Sequence, residues 1–164
     1  MTKDHPLERL FEILKHFCIV LGHILGWNAR NFGDDILDLF GAIPEVLRQA
    51  PKTRFQVAGS DNSVEDGFRA THGMDYPSYF KKEYSGCAGR VEFLGFVGED
   101  HLQKLYRDCD VFVAPSHYES FGLIYLEAMN YARPVIGCRS GGPEDIIVDG
   151  KTGFLTPPQD VPAL

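Results

Sequence analysis

Residues 110–127 read Asp110-Val-Phe-Val-Ala-Pro-Ser-His-Tyr-Glu-Ser-Phe-Gly-Leu-Ile-Tyr-Leu-Glu127, an apolar run, a polar loop and a helix opening in immediate succession. The run from Asp110 to Ala114 reads as a strand ending in Pro115. From Gly122 to about Tyr131 the apolar positions recur at helical spacing. A strand passing through a short loop into a helix is half of a βαβ unit, and that unit implies a parallel sheet.

The same alternation extends in both directions. Upstream, Arg54 to Ala58 reads as a strand ending in Gly59 and Arg90 to Leu94 as a strand ending in Gly95, with a helix from about Glu99 to Asp108 before the quoted stretch. Further upstream, Cys18-Ile-Val-Leu21 stops at Gly22 as a strand, and Ile36, Leu39, Phe40, Ile43, Val46 and Leu47 line one face of a helix from about Asp34 to Gln49. Asp34 and Asp35 suit that helix's N-terminus, and Pro44 inside it predicts a kink or break. Leu7, Leu10, Phe11 and Leu14 predict an amphipathic helix from Pro6 to His16. Downstream come a strand at Pro134 to Gly137, a short helix opening at Pro143, and strand character at Phe154 and Leu155. Residues 60 to 89, rich in glycine and tyrosine, predict a long loop with a helix near Ser78 to Tyr84. Near the end, Asp160 followed by Pro162 looks like a helix start without its helix, so the chain is expected to belong to a larger protein. The expected fold is α/β, a doubly wound parallel sheet of Rossmann-like type, in a single domain over 1–164.

Composition narrows the partners. With 16 Lys and Arg against 23 Asp and Glu, the net charge is −7, which disfavours nucleic acid as a bulk partner. The charge-free stretch from Phe17 to Ala29 is interrupted by His23 and Asn28 and falls short of the roughly 20 apolar residues a membrane span needs. The mixed-sign N-terminus lacks the pattern of a secretory signal, so a cytoplasmic location is expected, with any peripheral membrane association left to parts outside this chain. The four cysteines, Cys18, Cys87, Cys109 and Cys138, form no C-x-x-C pair and read as buried thiols. Six scattered histidines show no metal-ligand spacing, so no metal is expected.

In an open parallel sheet, ligands bind beyond the carboxyl ends of the strands. The loop Pro115 to Gly122 is therefore a candidate wall. The helix it enters offers unpaired amides, and Gly122 lets an anion approach them. Glu119 stands in the loop, and Glu127 lies five residues past Gly122, roughly 7.5 Å along the axis at about 1.5 Å per residue. A carboxylate at Glu127 suits a vicinal diol such as a ribose, and Glu119 suits a sugar hydroxyl beside a diphosphate. On spacing alone the alternative stays open that Glu127 is an exposed helical residue and Glu119 a solvated one. Other motifs fail. Gly150-Lys-Thr152 has Asp145 where a P-loop needs glycine, and no G-x-G-x-x-G follows the first strand.

From Val91 to Leu155 the chain carries Phe93-Leu-Gly-Phe-Val97, Ala114-Pro-Ser116, Glu119-Ser-Phe-Gly-Leu-Ile-Tyr-Leu-Glu127, Arg133-Pro-Val-Ile-Gly137, Gly141-Gly-Pro-Glu144 and Asp149-Gly-Lys-Thr-Gly-Phe-Leu155. This set resembles the C-terminal, donor-binding domain of GT-B fold glycosyltransferases of the retaining family 4, or group 1, type. The resemblance reaches back more weakly to Cys18. It implies a hexosyltransferase that takes a UDP-, GDP- or ADP-linked sugar without a metal or other cofactor, and an N-terminal GT-B domain as partner. Carried over residue by residue, it implies that Glu119 is catalytic and contacts the donor sugar, with Ser120 and Leu123 in the donor site; His117, in the same loop, is a candidate sugar contact by its position. The Phe121 and Gly122 amides would meet the diphosphate, Glu127 the ribose, Ile124 the nucleoside, and the backbone at Phe96 and Val97 the base. For Phe121 and Ile124 a core role is the alternative, and for His117 a solvated one.

One departure stands out. The family pattern has an arginine directly after the glycine of the first strand and a lysine about six residues on; here His23 follows Gly22, and Arg30 is the only lysine or arginine downstream of it ahead of the last turn of the following helix. Arg30 can grip phosphate in place of the lysine, whereas His23 serves only when protonated. The departure keeps a second reading alive, a non-catalytic nucleotide-sugar binding or protein-interaction module with a degenerate diphosphate site.

Overall fold

The computed structural model describes residues 16–20, 32–61, 63–64 and 67–164, the first five and residues 32–34 by their backbone alone. Six strands form one sheet: β1 (His16–Val20), β2 (Arg54–Ala58), β3 (Val91–Gly95), β4 (Val111–Ala114), β5 (Val135–Cys138) and β6 (Gly153–Thr156), in the spatial order β3-β2-β1-β4-β5-β6. Every pairing is parallel. The order runs outward from β1 to β3, then returns across β1 to continue from β4 to β6, so the direction reverses between β1 and β4. That reversal opens a crevice at the carboxyl ends of these two strands.

The connections bury the sheet on both faces. Helix α1 (Phe32–Gln49) and the short helices α2 (Phe68–His72) and α3 (Tyr76–Glu83) cover one face. Their Ile36, Leu39, Phe40, Ile43, Phe68 and Phe80 pack on Phe55, Val57, Val111 and Val113. Helices α4 (Glu99–Asp108), α5 (Leu123–Asn130) and α6 (Pro143–Ile146) cover the other, where Leu102, Leu105, Tyr106, Tyr125 and Ala128 meet Ala58, Phe112, Ala114 and Val135. Alternate residues of one strand serve opposite cores, as the two-residue period of a strand requires. All four residues of β4 are buried, which accounts for its unbroken apolar sequence.

Pro44 does not break α1. The helix is continuous from Phe32 to Gln49, because Phe40 and Ile43, both fully buried, hold the segment on the sheet on the side of the proline. Residues 60–89 hold α3 where a helix was expected near Ser78, begun by Asp75, whose carboxylate accepts the Ser78 amide at 2.8 Å, and also the additional α2. The closing segment is a turn rather than a helix. Asp160 accepts the Ala163 amide at 3.2 Å, Val161 packs against Gly41 of α1, and Leu164 joins the core beneath that helix. The expected helix over Pro6 to His16 lies outside the described residues except at its end, where His16 already belongs to β1. Cys109 and Cys138 are buried and Cys87 is half-buried, all as free thiols. No helix among the described residues is long and apolar enough to cross a membrane.

Candidate donor-binding site at the strand crossover

The loop from Pro115 to Gly122 leaves β4 at the point where strand order reverses and enters α5. Its course is set by contacts at both ends. At the far end Gly122 adopts φ +88°, a left-handed conformation, and an added Cβ there would lie 2.7 Å from the Tyr125 ring. Only glycine fits both the conformation and the space. Tyr125 is fully buried, and its hydroxyl donates to the Ala114 carbonyl at 2.5 Å, tying the helix back to the strand. Burial pushes the Tyr125 phenol far above its ordinary range, so it acts as a neutral donor.

In the middle of the loop, the Gly142 amide donates to the Glu119 carbonyl at 2.8 Å, and Glu119 bridges Gly141. A Cβ on Gly141 would collide with the Glu119 backbone, and one on Gly142 with the Phe121 backbone. The Gly-Gly pair thus lets two loops touch main chain to main chain. The Glu119 carboxylate turns onto its own loop and accepts the Phe121 amide at 3.1 Å. An N–H suited to an anion is thereby held by the protein's own anion.

Glu127 accepts a hydrogen bond from the Tyr106 hydroxyl of α4 at 2.9 Å, so one carboxylate oxygen is anchored while the residue stays exposed. Phe121 is 59% exposed and Leu123 47%, and neither is a core residue; Ser120 is exposed as well. Ile124 is the reverse, buried among Val97, Leu102 and Tyr125, so its side chain is core and cannot pack on a nucleoside without moving. Beyond β3 a register shift between β2 and β3 pairs Ala58 with Gly95. Beyond the strand, Phe96 is exposed and Val97 is buried in the core, so any contact from Val97 is through its backbone.

His117 is neither solvated nor loosely held. Its amide donates to Asp35 at 3.0 Å, its Nδ1 lies 3.2 Å from the same carboxylate, and its Nε2 lies 2.6 Å from Asp38. Both ring nitrogens are committed to α1 rather than presented to a sugar. Asp35, Asp38, Tyr106 and Tyr125 were missed as site-building residues. Asp35 carried only the signal of an acid at a helix start, and the tyrosines only that of core aromatics. Gly22, His23 and Arg30 lie outside the described residues. Among the described residues, no group of three or more His, Cys, Asp or Glu is gathered that could hold a metal.

The family model for glycosyl transferases group 1 matches residues 23–164. The chain belongs to this family. This group 1 chain is 49% identical over 122 residues to sulfoquinovosyl transferase SQD2 of Arabidopsis thaliana, covering 73% of the chain and 21% of that protein. It is 43% identical over 146 residues to a probable sucrose-phosphate synthase of Thermosipho melanesiensis, covering 79% and 34%. Among solved structures, the sucrose-phosphate synthase of Thermosynechococcus elongatus superposes with a TM-score of 0.68 at 29% identity, over 95% of this chain and 36% of that one. The fold also matches the C-terminal domain of a group 1 glycosyl transferase of Francisella tularensis, with a TM-score of 0.68 at 22% identity over 98% of this chain and 78% of that one. The chain thus spans from about a fifth to about a third of the curated relatives named here. The group 1 fold is the C-terminal-like half of the GT-B architecture, Rossmann-like as its strand order requires.

Proposed function

We propose that this chain is the donor-binding domain of a retaining group 1 glycosyltransferase, binding a nucleoside-diphosphate sugar for hexosyl transfer to an acceptor hydroxyl. The observation that carries this reading is the strand-crossover loop, which brings Glu119 and the Phe121 amide together beside the N-terminus of α5. The diphosphate replaces the Glu119 carboxylate at the Phe121 amide, freeing Glu119 to accept a hydroxyl of the donor sugar. Glu127, with one oxygen fixed by Tyr106, receives the ribose diol. In the reaction, the bond between the anomeric carbon and the β-phosphate oxygen breaks, the acceptor oxygen bonds to the same carbon, and the acceptor hydroxyl's proton passes to the departing diphosphate. This domain contributes positioning and stabilisation of the departing diphosphate. Arg30 supplies positive charge there, and the acceptor side comes from a separate N-terminal domain.

Calorimetric titration of the chain with UDP-, GDP- and ADP-sugars tests the proposal. Saturable binding of one of them, weakened by Glu127→Gln, is the expected result; absence of binding to all three would refute it. His23 in the place of the family arginine favours one competing reading, a binding module without turnover. Assay of the full-length protein for donor hydrolysis or transfer separates the two.

A further inference from the structure

We infer that His117 is a positioning residue that clamps the donor loop to helix α1 and so holds the Phe121 and Gly122 amides at the crevice. This rests on the donor-binding reading above. The loop from Pro115 to Gly122 is anchored from the α4–α5 side of the sheet by Tyr125 and by the Gly141-Gly142 turn. His117 reaches across to the α1 side, where its main chain and both ring nitrogens meet carboxylates of one helix face. Asp35 and Asp38 are three residues apart and so share that face. The three side chains are 15%, 7% and 18% exposed, shielded enough that water competes poorly for the contacts.

The position of the clamp gives it a purpose. Glu119 follows two residues after His117 and Phe121 two residues after that, so a shift at His117 is passed directly to the group that holds a sugar and to the amide that holds an anion. A loop tied on one face only could swing toward or away from β1, and the crevice between β1 and β4 would widen or close with it. With ties to both faces, the amides stay fixed before a ligand arrives, and preorganised donors of this kind are the ones that favour developing phosphate charge.

The test compares wild type with H117A and H117R, because a guanidinium supplies donors to both carboxylates where alanine supplies none. Affinity for UDP, GDP and ADP, and for the matching nucleosides, is measured on the 164-residue chain together with amide hydrogen exchange of the ligand-free protein. H117A is expected to weaken binding of the preferred diphosphate at least tenfold with little change for its nucleoside. It should also speed exchange at Phe121 and Gly122 while leaving β5 unchanged, and H117R should restore both. Unaltered affinity and exchange in H117A, or no recovery in H117R, overturns the inference. If wild type binds none of the three diphosphates, the donor-binding proposal falls, and exchange at Phe121 and Gly122 still decides whether His117 positions the loop. Should H117A fail to fold, D38N removes one half of the clamp and leaves the main-chain bond to Asp35, and the same exchange comparison applies.

Discussion

Glu127 shows how one side chain can carry a role its position alone would not assign. It is an exposed residue on a surface helix, yet the hydroxyl of a fully buried tyrosine fixes one of its oxygens. Glu127→Gln is expected to weaken nucleotide affinity by about 1–3 kcal/mol, the range for a hydrogen bond to a charged group, without altering the fold. Calorimetry with circular dichroism as control checks this, and unchanged affinity would remove the ribose role. Gly122 has no comparable freedom. Its left-handed backbone and the Tyr125 ring beneath it both oppose a side chain, so Gly122→Ala should cost about 1–3 kcal/mol. In a chain of this length that corresponds to a melting temperature lower by roughly 2–4 °C per kcal/mol, measurable by thermal denaturation.

The turn joining α6 to β6 is held by an electrostatic device. Asp149 accepts the Leu155 amide at 3.0 Å and the Arg139 guanidinium at 2.8 Å. Those contacts, the backbone bond first, hold its carboxyl below the usual carboxylate range. A lowered value means that the folded chain favours the ionised form more than the unfolded chain does. The contribution is complete above the ordinary carboxylate value and is lost as pH falls through the lowered one. Asp149→Asn should therefore flatten the decline in melting temperature as pH falls below about 4. Equal slopes in both proteins would show that the turn does not depend on this charge. The segment after β1 offers a second test. Arg30→Ala is expected to weaken diphosphate binding far more than nucleoside binding, and an equal effect on both would place Arg30 away from the phosphates.

Elements such as β4 and α4 were legible because their patterns are local: four apolar residues in a row, and an apolar face recurring at helical spacing between Glu99 and Asp108. The continuity of α1 through Pro44 was not, since packing beneath a helix outweighs the lost hydrogen bond and no local pattern records packing. Likewise, the ties of His117 to Asp35 and Asp38 join parts of the chain 82 and 79 residues apart, a relation that periodicity cannot reveal. The loop chemistry around Glu119 and Gly122 was visible in the sequence because strand end, loop and helix start are contiguous there. The self-contact between Glu119 and Phe121 was not, because it depends on how a side chain folds back.

On the proposed reading, the two faces and their crevice bind the donor, and a separate domain supplies the acceptor. The 164-residue chain should bind a nucleotide yet form no glycoside, with affinity that falls as salt rises, since net −7 must be overcome locally by amides and Arg30. Product formation from a nucleotide sugar by this chain alone, free of contaminating enzyme, would overturn that expectation.

The closing turn over α1 has a kinetic consequence. Val161 and Gly41 are 120 residues apart along the chain, so this seam carries the entropy cost of closing a long loop and is expected to form late in folding. Interactions absent from the transition state act on the unfolding rate alone. Trimming Val161 to alanine should thus steepen escape from the native state in stopped-flow experiments while refolding keeps its pace, making the seam a latch on the lifetime of the folded chain rather than on its formation.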